Sequence, residues 1–144
     1  MTSNQLIVPT NSLSTRAAIE LCDSAMTAAE QLNITICVAI VCPAGNVLAS
    51  INMNCAPLIS AKLARKKAYT AVSFKQNTYD WQEKLANKPQ VLNALLSEPM
   101  FTYLGGGLPI YIKQQLVGAI GVSGGSEQQD ITCALQAIAT LLPN

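Results

Sequence analysis

The stretch from Ile34 to Cys42 places the tightest limit on the fold of this 144-residue chain. It is almost wholly apolar and rich in β-branched side chains, a pattern typical of a strand that is covered on both faces. The segment Pro43–Asn46 has the composition of a turn, and Val47–Met53 then alternates like a strand with one wetter face. The two strands are therefore predicted to form a hairpin, with helices packed on both faces of its sheet.

Helical periodicity and capping residues predict three long helices around this hairpin. Residues 78–97 have the pattern of one or two short helices, and short strands follow them. The predicted long helices run from Ser12 or Ser14 to about Leu32, from Pro57 to about Phe74 or Lys75, and from Ser126, with Gln129 as its reciprocal cap, to about Leu142. The predicted later strands are Met100 to Leu104, Leu108 to Lys113 and Leu116 to Ser123, with Gln114 and Gln115 linking the last two.

This order of elements predicts an α+β fold. Adjacent strands joined by short turns favour antiparallel pairing, and the doubly apolar strand requires helices on both sides. We therefore expect an α/β/α sandwich around an antiparallel sheet of roughly five strands. The length suits one domain, residues 1–144, in which residues 1–12 are predicted to form an irregular arm.

Charged residues are scarce in this sequence. Lys, Arg, Asp and Glu make up 12% of the chain, whereas about 25% is usual, and half of all residues are apolar. A charge-poor surface of this kind predicts burial against other copies of the chain, so we expect a homo-oligomer. Seven of the nine basic residues lie in 62–88, which leaves the first and last helices as the expected subunit contacts.

Several functional classes are excluded by what the sequence lacks. A net charge of +1 gives no general attraction to nucleic acid, and the longest apolar run, Ile36–Cys42, is too short to span a bilayer. The first residues do not have the pattern of a signal peptide, so a cytoplasmic location is expected. The absence of histidine excludes His-dependent triads and His-ligated zinc or haem. The five cysteines form no C-x-x-C pair and are expected to be reduced and buried, so no metal site is predicted.

Seven of the eight glycines lie between residues 105 and 125, in two clusters. Glycine lets a backbone pass close to another backbone or to a ligand, so close packing explains these clusters as well as a binding site does. The successive amides of Gly124, Gly125 and Ser126 precede a helix N-terminus, where they could bind an anion. Arg65 and Lys67 flank the small-residue face of the second helix and could add positive charge to that site.

Both glycine clusters belong to one ordered stretch, Gly105–Asp130, which reads GGGLPIYIKQQLVGAIGVSGGSEQQD. This stretch resembles the C-terminal signature of the GlcG/HbpS-like family, often labelled haem-degrading, which includes the C-terminal domain of PduO-type corrinoid adenosyltransferases. Ser60–Phe74 is similar to the family's second-helix motif, and Ile36–Ile51 to its first hairpin. The resemblance covers about residues 13–142. It implies a profilin-like fold, an oligomer, and haem or a corrinoid as the ligand of some members.

The resemblance also implies a set of ligand-binding positions. These are the residues that match the family's helix motif and its two glycine clusters. They are Lys67, Thr70, Gly105, Gly106, Gly107, Pro109, Gly124, Gly125, Ser126 and Asp130. Gly118 and Gly121 match the second cluster as well but are not assigned to the site.

The chain departs from the family pattern in two respects. An acidic residue is common between the Arg and Lys of the helix motif, where this chain has Lys66, and the helix is more basic as a result. Haem-binding members are expected to use a histidine as axial ligand, and this chain has none. Only Cys, Met or Tyr could ligate haem iron here.

Three classes of function stay open at this point. The first is a small oligomeric protein, accessory to a catabolic or cofactor pathway, that binds an anionic metabolite or cofactor through the residues above. The second is an enzyme, whose candidates for acid–base chemistry are Lys67, Asp130, Tyr69, Tyr103 or a cysteine of altered pKa. The third is a structural subunit without a ligand, held by its oligomer interface, for which Trp81 and Tyr79 are candidate anchors.

Overall fold

A four-stranded antiparallel sheet forms the centre of the molecule, in a computed structural model that describes residues 1–142. The strands lie in the order β2-β1-β4-β3, so the central pair is β1 and β4. Two helices, α1 and α5, pack together on one face, and α2 lies on the other. The elements are α1 (Thr15–Gln31), β1 (Cys37–Val41), β2 (Val47–Asn52), α2 (Ser60–Phe74), α3 (Trp81–Lys84), α4 (Pro89–Leu96), β3 (Gly107–Ile112), β4 (Gln115–Ser123) and α5 (Glu127–Leu141).

Strand β1 explains why the sheet is covered on both faces. Its five residues are all buried, and alternate side chains enter different cores. Val38 and Ile40 pack into the core beneath α1 and α5, whereas Ala39 and Val41 pack beneath α2. The predicted α/β/α sandwich and the hairpin of β1 and β2 are thereby confirmed.

Side-chain capping starts two of the long helices at the predicted residues. The Ser14 side chain accepts a hydrogen bond from the amide of Ala17 at the start of α1. Ser126 and Gln129 form a reciprocal capping box at the start of α5. Helix α2 begins at Ser60, three residues after the predicted Pro57, and ends at Lys75 in the left-handed region with φ of 57°.

The sheet has four strands where the sequence predicted roughly five. The segment predicted as the extra strand, Met100–Leu104, has no strand partner because threonine side chains satisfy its backbone. Thr70 Oγ1 donates to the carbonyl of Met100 and accepts from the amide of Thr102, at 3.0 and 3.1 Å. Thr78 Oγ1 donates to the carbonyl of Leu104 at 2.6 Å. These side-chain bonds replace a strand ladder.

Two further boundaries refine the predictions. The turn between β3 and β4 falls at Lys113 and Gln114, both with positive φ, one residue earlier than predicted. Apart from a short 3-10 turn at Ser3–Gln5, residues 1–12 form no regular element and are exposed.

Among the described residues, no helix has the length and apolarity needed to cross a bilayer.

Glycine brings α2 unusually close to the sheet. A Cβ atom on Gly121 of β4 would lie 2.0 Å from the carbonyl oxygen of Ala64 and 2.6 Å from the amide nitrogen of Ala68. Real side chains do not tolerate such distances to backbone, so this position requires glycine. The close approach sets the depth at which Lys67 and Thr70 of α2 are buried.

Candidate functional site

Two of the sequence-predicted site residues form a buried ion pair. Lys67 Nζ lies 3.1 Å from Asp130 Oδ2 and donates a second hydrogen bond to the carbonyl of Val122 at 2.8 Å. Only 2% of Lys67 and 3% of Asp130 is exposed, so solvent does not reach either charge. The pair connects α2 on one face of the sheet to α5 on the other.

The backbone amides predicted to bind an anion already have partners within the chain. The amide of Gly125 donates to Asp130 Oδ1 at 2.9 Å, and the amide of Ser126 donates to Gln129 Oε1 at 2.9 Å. In this conformation, the acceptors at the N-terminus of α5 are therefore the chain's own Asp130 carboxylate and Gln129 amide oxygen.

Gly106 provides the space in which the ion pair fits. Its φ of 123° is one that side chains rarely adopt, and a Cβ atom there would lie 2.5 Å from the carbonyl oxygen of Val122. The same atom would lie 3.1 Å from Lys67 Nζ. The first glycine cluster thus lies against the charged groups that the sequence singled out. Gly106 and Gly107 also line a cavity of about 220 Å³, together with Asp80 and Gln128.

Burial shifts the proton affinities of both partners. Removal from water lowers the pKa of Lys67, and the charge and hydrogen bond of Asp130 only partly oppose that shift. Removal from water likewise raises the pKa of Asp130, against the opposing effects of Lys67 and the amide of Gly125. Because a buried charge without its partner is costly, the two groups depend on each other.

The remaining predicted residues do not converge on this pair. Arg65 is exposed and lies two positions before Lys67 on α2, so the two side chains point to nearly opposite sides of the helix. Gly107 packs on the carbonyl of Lys67, and Pro109 is half-buried in β3 opposite Ala119. Gly124 lies close to the backbone of Thr35, whereas Gly105 lies against the side chains of Ile131 and Glu127.

A separate cavity of about 280 Å³ lies beside the second half of α2. The segment that follows α4 forms its opposite wall. The cavity is open to solvent on one side, and its main lining residues are Tyr69, Thr70, Ser73, Phe74, Glu98 and Met100. It therefore contains two residues that the sequence had singled out, Tyr69 and Thr70, whereas Tyr103 lies outside it.

An aromatic cluster contributes to the lining of this cavity. The rings of Phe74, Trp81 and Phe101 meet edge to face, with centroid distances of 4.8, 6.2 and 5.7 Å. Phe74 and Phe101 also line the cavity. Trp81 thus packs against other aromatic rings of its own chain, while Tyr79 stays about half exposed.

The cavity could not be predicted from the sequence because its two walls come from segments about 25 to 30 residues apart, in a region without strong periodicity. One signal did exist. Thr70, the family-matched residue on α2, binds the backbone of Met100 and Thr102 and so places the 98–101 segment opposite the helix.

The fold and the site together define a small α/β/α sandwich with its candidate ligand cavity on the face that carries a single helix. A family model described as "Haem degrading protein HbpS-like" matches residues 13–139. The chain belongs to this HbpS-like family, as the glycine-rich signature and helix motif predicted.

Relatives of known name agree with this assignment. The chain is 33% identical over 135 residues to the corrinoid adenosyltransferase PduO of Citrobacter freundii, which covers 92% of this chain and 40% of that protein. It thus spans less than half the length of PduO. A crystal structure of a PduOC:haem complex matches with a TM-score of 0.81 and 33% identity, over 89% of this chain and 94% of the other. A double mutant of Streptomyces reticuli HbpS matches with a TM-score of 0.87 and 29% identity, over 99% and 95%.

Proposed function

We propose that this protein binds a small molecule in the cavity beside α2. The observation that carries the proposal is a cavity lined mainly by apolar and aromatic side chains with a few polar groups among them, which is the usual composition of a ligand pocket. The proposal includes an accessory role in a catabolic or cofactor pathway, supported by the similarity to one part of a corrinoid adenosyltransferase. Cytoplasmic location stays a prediction.

The lining residues favour a compact ligand that is neutral or cationic. Phe74, Met100 and Phe101 offer apolar contact, and the side chains of Tyr69 and Ser73 offer hydrogen bonds. Glu98 is the charged residue of the lining, and it disfavours an anion. The anionic ligand expected from the basic helix therefore finds no cationic side chain in this cavity.

Haem does not fit this cavity. A volume of about 280 Å³ is at the lower limit of pockets for drug-sized molecules and is too small to enclose the haem macrocycle. The side chains in the lining that carry an iron-ligating atom are Tyr69, Met100 and Glu98, and the sequence contains no histidine. The haem of the PduOC complex is a property of that protein, and the cavity of this chain calls for a smaller ligand.

A matched series of small aromatic probes tests the proposal. Phenol, benzylamine and benzoate have similar bodies but differ in charge, and the fluorescence of Trp81 reports their arrival next to Phe74 and Phe101. We expect saturable binding of phenol and benzylamine, with benzoate weaker by about tenfold because of Glu98. Glu98→Gln should remove most of that discrimination.

A blocking variant tests the location. Ser73→Leu places an apolar side chain in the cavity and should abolish the fluorescence response, whereas Ser97→Leu, at an exposed residue outside the lining, should leave it intact. Equal binding by Ser73→Leu and the native chain would contradict the proposed site. A saturable haem Soret shift that disappears in Tyr69→Phe or Met100→Leu would instead make haem the ligand.

A further inference from the structure

A second cavity, of about 410 Å³, lies where helices α3, α4 and α5 meet the segment that precedes β3. Its main lining residues are Trp81, Gln82, Leu85, Leu92, Tyr103 and Glu127. None of them lines the cavity beside α2, so the two cavities are separate. The second cavity also contains Trp81 and Tyr103, two residues that the sequence singled out and that the cavity beside α2 does not use.

Helix α4 is apolar although it belongs to neither core. It has no buried residue, and its sequence is nevertheless PQVLNALL. Leu92 lines the second cavity, and Leu95 lines the cavity beside α2. Because residues three apart lie on the same side of a helix, one side of α4 provides an apolar wall to both cavities. The apolar side chains of α4 are thus explained by the cavities rather than by core packing.

The side chain of Gln82 links three of the segments that build the second cavity. Its Nε2 donates to both carboxylate oxygens of Glu127, each at 3.1 Å, and to the carbonyl of Tyr103 at 3.3 Å. Glu127 is the first residue of α5, where the helix dipole favours a negative charge. These bonds hold the Glu127 carboxylate in a fixed position in the wall of the cavity.

The Glu127 carboxylate is the charged group of this lining. It is half-buried and forms no ion pair within residues 1–142. Lys84 Nζ lies 6.0 Å from the centroid of the Trp81 ring, but it is bound to Gln76 and lies outside the lining. Because a partly buried carboxylate is best stabilised by a positive charge, the cavity favours a cation and disfavours an anion.

The other lining residues determine which kind of cation fits. Trp81 and Tyr103 carry aromatic rings, which attract organic cations, and Leu85 and Leu92 offer apolar contact to methyl or methylene groups. A metal ion instead needs several oxygen, nitrogen or sulfur ligands, and residues 1–142 contain no group of three acidic or cysteine side chains placed to hold one. The lining therefore favours an organic cation over a metal ion.

From these features we infer that the cavity between α3, α4 and α5 is a second binding site, and that its ligand is a small organic ammonium ion. Glu127 supplies the counter-charge, Trp81 and Tyr103 the aromatic contacts, and Leu85 and Leu92 the apolar ones. This site does not depend on the ligand proposed for the cavity beside α2, because no residue is shared between the two linings.

Choline and its uncharged carbon analogue, in which carbon replaces the nitrogen, test the class of ligand. The two probes have nearly the same shape and differ in charge. In amide NMR titrations we expect saturable choline binding with shifts at Gln82, Tyr103 and Glu127, and binding of the analogue weaker by about tenfold. Glu127→Gln should remove most of that difference, because it removes the charge but keeps an oxygen that can accept from Gln82.

The matched control is Glu98→Gln, which removes the carboxylate of the other cavity and should leave the affinity for choline unchanged. Equal affinity of the native chain for choline and its analogue would overturn the assignment of an ammonium ligand. An absence of saturable choline binding would overturn the inference as a whole.

A blocking variant tests the location. Ala86→Phe places a ring at an exposed lining residue and should abolish choline binding, whereas Ala94→Phe, exposed on α4 and outside both linings, should leave it intact. Circular dichroism verifies that both variants fold. Ser73→Leu blocks the cavity beside α2 and should not affect choline, so the two sites succeed or fail separately. Equal choline binding by Ala86→Phe and the native chain, or its loss in Ser73→Leu, would overturn the location.

Discussion

At the scale of single residues, the ion pair of Lys67 and Asp130 holds together two helices on opposite faces of the sheet. Each partner is bound by more than the other charge, since Lys67 also donates to Val122 and Asp130 also accepts from Gly125. These additional hydrogen bonds offset part of the desolvation that burial imposes on both groups. The pair therefore fixes the position of α2 relative to α5. Removal of one partner leaves the other charge buried with its full desolvation cost.

We predict that Lys67→Met lowers the free energy of unfolding by about 3–5 kcal/mol, because it leaves the Asp130 carboxylate buried without a counter-charge. The control Lys62→Met, at an exposed position of the same helix, should change it by less than about 0.5 kcal/mol. Adding Asp130→Asn to Lys67→Met should recover part of the loss, since the amide oxygen can still accept from Gly125. Urea denaturation measures the free energy of unfolding of all three variants. Equal losses for Lys67→Met and Lys62→Met would contradict this structural role of the ion pair.

At the scale of elements, the sequence predicted what local chemistry determines. Ser14 and the Ser126–Gln129 box mark helix starts because a cap is built from neighbouring residues. The prediction of an extra strand at Met100–Leu104 was wrong, because the hydroxyls of Thr70 and Thr78, which are distant in sequence, bind that backbone. The cavity and the pairing of Lys67 with Asp130, 63 positions apart, likewise depend on distances that only the folded chain sets.

The contact between α2 and β4 gives the prediction at this scale. Gly121→Ala should destabilise the protein by about 2 kcal/mol, because its Cβ would meet the backbone of α2 and force helix and sheet apart. Gly105→Ala is the matched control, since its Cβ would meet the flexible ends of Ile131 and Glu127, which can move aside. In thermal unfolding, Gly121→Ala should have a clearly lower Tm than Gly105→Ala. The reverse order would show that the packing of α2 on β4 does not require glycine at position 121.

At the scale of the whole molecule, the two cores on either side of the sheet differ in composition. The core beneath α1 and α5 contains the larger side chains, including Leu21, Ile36 and Ile120, together with two buried thiols. The core beneath α2 consists mainly of alanine, valine and one cysteine. The single-helix face is therefore thin, and this is the face on which the candidate ligand cavity lies.

The thiols of the larger core give the molecule a pH-dependent stability. Burial raises the pKa of Cys22 and of Cys133 from 9.0 to about 11. In the unfolded chain both thiols ionise near pH 9, so their contribution to stability is complete below pH 9 and is lost as the pH rises towards 11.

We predict that Cys22→Ala, compared with the native chain, costs less at pH 10 than at pH 8. The difference should be about 1 kcal/mol, because at pH 10 the unfolded native chain gains free energy by ionising a thiol that the folded core keeps protonated. Urea denaturation under reducing conditions at both pH values measures the effect, with Cys55→Ala as the exposed control. An identical cost of Cys22→Ala at the two pH values would mean that this core admits water to its thiols, contrary to the packing of α1 against α5.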